Sequence, residues 1–172
     1  MKMRPLFFST LCALCVAPLA AHAADYSLDD GQVHFSAPDA WTPIMEKHDG
    51  EPQFLALRVS EPDASPDTLA RITVTTQHAS DAQAFQQFVN SNVAKARRLT
   101  EYRSNDSHPI PSGRRYTATE NKQKTDYTEY YYYRNGIAIQ VRCVRPEAAQ
   151  AQWAATFDAG CSAIAKAVAT AQ

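Results

Sequence analysis

Apolar positions along the chain recur with two periods, 2 residues in some stretches and about 3.6 in others, and each change of period marks an element boundary. Val33-His34-Phe35-Ser36 alternates and runs into Ala37-Pro38-Asp39-Ala40-Trp41, which predicts a short strand entering a proline turn closed by an aromatic ring. Ile44 to Lys47 and Phe54 to Val59, separated by His48-Asp49-Gly50, read as a β-hairpin. Segment 61–67, with Pro62, Pro66 and three acids, reads as an exposed loop, after which Arg71 to Thr75 alternates again with Ile72 and Val74 on one face. The period then lengthens: Phe85, Phe88, Val89, Val93 and Ala96 share one helical face. Ser80 followed by Gln83 supplies a capping box, so a helix is predicted from Asp81 to about Arg98, with Lys95, Arg97 and Arg98 at the negative end of its dipole. Leu99 to Ser107 and Arg115 to Thr119 read as strands around a loop at 108–113.

Asn135-Gly136 between two β-rich runs is the strongest local signal, because both residue types accept the positive φ of a tight two-residue turn. That turn sets Arg134 opposite Ile137 and fixes two faces. One carries Tyr132 with Ile139, Tyr130 with Val141 and Thr128 with Cys143; the other carries Tyr133 with Ala138, Tyr131 with Gln140, Glu129 with Arg142 and Tyr127 with Val144. Pro146 and Glu147 are read as the first turn of a last helix whose stripe is Trp153, Phe157, Cys161, Ile164 and Val168. This order of elements predicts an α+β domain: a central, mainly antiparallel sheet with one helix from the middle of the chain and one from its end.

Composition adds a compartment. The 172 residues, 45% hydrophobic and 20% charged, are those of one ordinary globular domain. Lys2 and Arg4 precede an apolar run from Leu6 to Ala21, and Ala21-His22-Ala23 offers a small-x-small cleavage site, so residues 1–23 read as a cleaved signal peptide and 24–172 as the mature domain. The run, broken by Pro18, is short for a membrane span of about 20 residues. A soluble periplasmic protein with no transmembrane segment is expected. Removing Cys12 and Cys15 leaves Cys143 and Cys161, and strand and helix periodicity aim these two at one another, which predicts a disulfide in an oxidising compartment. The mature chain has 15 basic and 18 acidic residues, a net charge of −3, with residues 24–67 at −8 and residues 68–172 at +5. This balance argues against nucleic acid as a partner.

A secreted chain of this size that opens with Val33-x-Phe35-x-x-Pro38-x-x-Trp41, places one helix mid-chain and ends in a Tyr-rich hairpin and an aromatic-bearing helix resembles the PsbP-like α/β/α sandwich superfamily. That superfamily includes DcrB-type bacterial envelope proteins and the effector-associated chaperones of type VI secretion. The resemblance spans Gln32 to Val168. It implies a sheet with its two helices on opposite faces, and a protein that binds partners rather than catalyses. None of the metal-ligand residues of the photosynthetic members matches here.

Candidate chemistry is sparse. With 5 Gly in the chain there is no Gly-rich phosphate loop, and no serine sits in a Gly-x-Ser-x-Gly elbow. His34, His48, His78 and His108 lack the paired spacing of metal ligands, so no metal, cofactor or catalytic residue is assigned. Five of the 8 tyrosines fall between Tyr127 and Tyr133. Tyr127, Tyr131 and Tyr133, with Glu129 and Arg142 among them, either pack beneath the middle helix or form an open binding platform, since Tyr and Arg are enriched at binding hot spots. Lys95, Arg97, Arg98, Arg103, Arg114 and Arg115 form one basic patch if the strand after the helix pairs with the next. The leading expectation is a non-catalytic protein-binding protein of the periplasm, in its most concrete form an immunity protein against a secreted toxin. A small-ligand or lipid carrier and an envelope-polymer hydrolase are the alternatives.

Overall fold

The structure, a computed structural model, describes residues 22–62, 70–105 and 110–170; the expected signal segment up to residue 21, most of the 61–67 loop and His108 lie outside them. β1 (Ala23–Leu28) and β2 (Val33–Pro38) form a two-stranded ribbon. A second sheet is built from β3 (Thr42–Lys47), β4 (Gln53–Arg58), β5 (Arg71–His78), β6 (Thr100–Ser104), β7 (Gly113–Glu120), β8 (Gln123–Arg134) and β9 (Ile137–Pro146). Its seven strands lie in the order β3-β4-β5-β9-β8-β7-β6, and every neighbouring pair is antiparallel. α1 (Ala82–Ala96) follows β5 and α2 (Ala151–Thr170) ends the described chain. The class is α+β, as expected, with strand predominating. Cleavage before Ala24 would remove one residue from β1, leaving Ala24 to Leu28 paired with Ala37 to Val33.

The central hairpin has the register that its turn dictates. Asn135 and Gly136 adopt φ of 50° and 78°, and Tyr132 faces Ile139, Tyr130 faces Val141 and Glu129 faces Arg142. Pairing continues to Thr125 with Pro146, and Glu147 N–H donates to Lys124 O at 3.0 Å. Pro146 therefore ends β9 instead of opening the last helix, which starts at Ala151; a terminal strand position needs no N–H from its proline. The cap of α1 is also displaced by one residue from the predicted Ser80. Asp81 holds extended backbone and its carboxylate accepts the Ala84 N–H at 2.8 Å, because a charged oxygen suits the positive helix end better than a hydroxyl.

Strand alternation decides which side of the sheet each helix covers. Ile139, Val141 and Cys143 of β9, Ile72 and Val74 of β5 and Leu55 and Leu57 of β4 meet Phe157, Cys161, Ile164 and Val168 of α2, with Val33 and Phe35 of β2 completing the cluster. Cys143 and Cys161 are joined within it, their Cα atoms 6.1 Å apart. Gly160 lets the helix approach: a Cβ there would stand 2.2 Å from Trp41 Cη2. The intervening residues of β8 and β9 meet α1. Phe88 packs on Tyr131 and Ala138, and Ala96 packs on Tyr116, Ala118, Tyr127 and Val144.

Candidate functional site

The sheet surface beneath α1 is a polar layer centred on Glu129, which is 0% exposed. Alternation along β8 points Tyr127, Glu129 and Tyr131 toward α1, the β9 register sets Arg142 and Gln140 beside them, and the β7 register brings Tyr116 and Arg114 from the other side. Both Glu129 oxygens are held: Tyr116 Oη donates to Oε1 at 2.9 Å and Tyr131 Oη donates to Oε2 at 2.7 Å. Arg142 Nε lies 3.2 Å from Oε1 without hydrogen-bond alignment, while its Nη2 donates to Tyr116 Oη at 2.9 Å. Gln140 Nε2 donates to Tyr131 Oη at 3.0 Å. Farther along, Arg71 Nη2 reaches both oxygens of Glu120 at 2.9 Å, and Tyr127 Oη donates to Glu120 Oε2 at 2.7 Å.

Aromatic rings fill the space between these charges. Tyr116 and Tyr127 stack with centroids 4.6 Å apart and planes within 7°, and the Arg142 guanidinium lies 5.2 Å from the Tyr127 centroid. Arg114 lies over Tyr116 at 5.1 Å and over Tyr102 at 5.8 Å. Burial, reinforced by the neighbouring Glu129 carboxylate, pushes the phenols of Tyr116 and Tyr131 far above their ordinary range; burial and Glu120 do the same for Tyr127. Burial alone would raise Glu120, but the bonds from Arg71 and Tyr127 outweigh it and hold the carboxyl below its usual value.

An open tyrosine platform is not what forms. Tyr127, Tyr131 and Glu129 are 1%, 7% and 0% exposed, so they are interior groups of a satisfied network and present no contact surface. The physical reason is α1, which lies across them with Phe88 edge-on to Tyr131 at 6.4 Å. Tyr133 remains partly open, stacked on Phe85 at 5.5 Å, and Arg142 is half-buried. The hairpin pattern alone does not assign Tyr116 and Arg114 to this cluster. The signal for them was the second tight turn, Asn121-Lys122 with φ of 50° and 68°, which sets Tyr116 opposite Tyr127 and Arg114 opposite Glu129.

The other acids, the histidines and the basic side chains are dispersed. Asp126 is on the sheet face opposite Glu129, where Arg145 ties it at 2.7 Å and also bonds Asp158 of α2 at 3.0 Å. Burial outweighs that partner and raises the Asp126 carboxyl. Asp29 and Asp30 are turn residues with φ of 51° and 50°. His34 and His78 are exposed on separate elements, and no group of three metal-capable side chains forms among the described residues. β6 does pair with β7, but the six bases form no single patch: Arg114 and Arg115 are neighbours on one strand and so point to opposite faces. Lys95, Arg97, Arg98 and Arg103 are exposed. No described helix is long and apolar enough to cross a membrane.

No family model and no curated protein matches the chain. Among solved structures, it is similar to a Pseudomonas aeruginosa protein of unknown function described as a putative regulator, at 12% identity and a TM-score of 0.48, over 80% of this chain and 92% of that one. It is also similar to a Bacteroides thetaiotaomicron structure, at 13% identity and a TM-score of 0.45, over 82% of this chain and 46% of that one. The chain thus spans less than half the length of the second.

Proposed function

We propose that the chain is exported to the periplasm, cleaved before Ala24, and acts there as a non-catalytic protein-binding module of the PsbP-like α/β/α sandwich type, most concretely an immunity protein that occludes a secreted toxin. The observation that carries the reading is on β3. Ile44 and Met45, adjacent on this edge strand, are 39% and 60% exposed and, with Tyr133, are the large hydrophobic side chains exposed among the described residues. Pro43 and the irregular register between Pro43 and Met45 oppose addition of another strand, so this edge offers side chains rather than a backbone ladder. Met is adaptable in contact, and an apolar centre within a charged rim suits a protein interface. Asp39, Glu46, Asp49 and Glu51 are exposed nearby in the chain, which favours a basic partner and faster encounter with it.

The test is capture from a periplasmic extract by immobilised wild type and by Ile44→Ser/Met45→Asp, with both folds verified by circular dichroism. The reading expects a basic protein held by the wild type, released by salt and absent from the variant. Equal capture by both would reject the β3 contact.

A further inference from the structure

α1 leaves a groove along its β7 flank. Its helical wall is Phe85, Val89 and Val93, four residues apart on one stripe, its opposite wall is Ser112 and Gly113, and Tyr131 and Arg114 complete the lining with Gln86. The volume is about 310 Å³, at the small end for a small-molecule site. Among the described residues that line it, none is acidic.

The charges beneath α1 do not balance. Three guanidinium groups, Arg71, Arg114 and Arg142, stand against two carboxylates, Glu120 and Glu129, among the buried and half-buried described residues of this layer. Arg71 is matched by Glu120 through two bonds of 2.9 Å, and Arg142 by Glu129 at 3.2 Å. Among the described residues Arg114 has a 4.0 Å approach to Glu129, whose two oxygens each accept a tyrosine hydroxyl, a hydrogen bond to the Tyr102 hydroxyl, and two ring faces. Its side chain is 18% exposed, and it is the one cation among the described residues that line the groove. A half-buried guanidinium beside apolar walls attracts an anion with little screening, and its planar fork matches a carboxylate.

We propose that this groove binds a small amphipathic carboxylate of the fatty-acid type, its acyl chain against Phe85, Val89 and Val93 and its carboxylate on the Arg114 guanidinium. Among the described residues of the lining there is no second positive charge, which suits a singly charged head group. Each methylene that reaches the apolar wall tightens binding by up to about fourfold. The site shares no residue with the β3 contact, so either can fail alone.

Calorimetric titration of the mature protein with octanoate, butyrate and octanol, all below micelle-forming concentrations, tests it. Octanoate is expected to saturate at one per chain and to bind more tightly than butyrate; octanol is expected to bind about tenfold or more weakly, having lost the charge-assisted bonds. Arg114→Gln should bring octanoate to the level of octanol and leave octanol unchanged. Val89→Asp, a change in the helical wall of the groove that removes none of the hydrogen bonds to Glu129, should abolish octanoate binding in a protein of unaltered circular dichroism. Absence of octanoate binding, equal affinity for octanoate and octanol, or a Val89→Asp variant that binds octanoate normally would overturn the proposal. A leucine-terminated peptide that binds through its free carboxylate more tightly than octanoate would overturn the fatty-acid assignment.

Discussion

Glu129→Gln is the substitution for which the structure gives the sharpest expectation. The side chain is 0% exposed and accepts two phenolic hydrogen bonds, one on each oxygen. Glutamine keeps the shape but offers a single carbonyl oxygen, so one of Tyr116 and Tyr131 would face an amide N–H instead of an acceptor. Arg142, 3.2 Å away and half-buried, would lose its counter-charge where water can replace it only in part. Breaking one side of a buried ion pair costs about 3–5 kcal/mol, a large part of the roughly 5–15 kcal/mol that holds a domain folded. Urea unfolding followed by far-ultraviolet circular dichroism should show the midpoint falling by about 1 M or more at an unchanged slope. Arg142→Met should also destabilise, and the double variant should be less destabilised than the two single changes together by at least about 1 kcal/mol, since it removes both charges. A Glu129→Gln cost below about 1 kcal/mol, or strict additivity in the double variant, would refute the idea that this pair organises the layer.

Three other expectations follow from separate features. Reducing the Cys143–Cys161 bridge, whose partners are 18 residues apart in sequence, should lower stability by about 3 kcal/mol, read as the difference in urea midpoint with and without reductant. Gly160→Ala would drive a methyl into the Trp41 ring, 2.2 Å from Cη2 in the unrelaxed structure, and should cost about 1–3 kcal/mol by thermal unfolding. Met45→Asp lies on an exposed edge and should change stability by less than about 0.5 kcal/mol while abolishing partner capture, which separates a contact role from a structural one.

Much of the fold was legible because local chemistry set it. Asn135-Gly136 fixed the β8–β9 register from two residues, and that register together with the 3.6-residue stripe of α2 brought Cys143 and Cys161 together. β1 was not legible: its Tyr26 and Leu28 gain meaning only from pairing with β2, and they follow closely on the apolar run from Leu6 to Ala21. The site was half legible. Residue types and register identified Tyr127, Glu129, Tyr131 and Arg142 as one group, but whether that group opens to solvent depends on how α1 lies across it, and no residue within the hairpin records this. Arg114 and Tyr116 entered through a weaker turn, Asn121-Lys122, whose second residue is an uncommon one at positive φ. In the sequence pattern Ile44 and Met45 belong to an ordinary hairpin strand. Its exposure is a consequence of β3 being last in the sheet order, a property of topology that periodicity does not encode.

The tyrosine-rich hairpin is a closed internal scaffold, and spectrophotometric titration of the phenols is the sharpest check on that closure. A phenol in the unfolded chain ionises near pH 10, whereas burial and adjacent carboxylates raise Tyr116, Tyr127 and Tyr131 in the folded state. The folded protein therefore retains protons that the unfolded chain releases, so the stability these groups contribute is fully present below about pH 10 and is lost as pH rises beyond it. The predicted result is that at least these three of the 8 tyrosines gain tyrosinate absorbance only in the same step in which circular dichroism reports unfolding. Ionisation of all 8 near pH 10 with the fold intact would contradict the account.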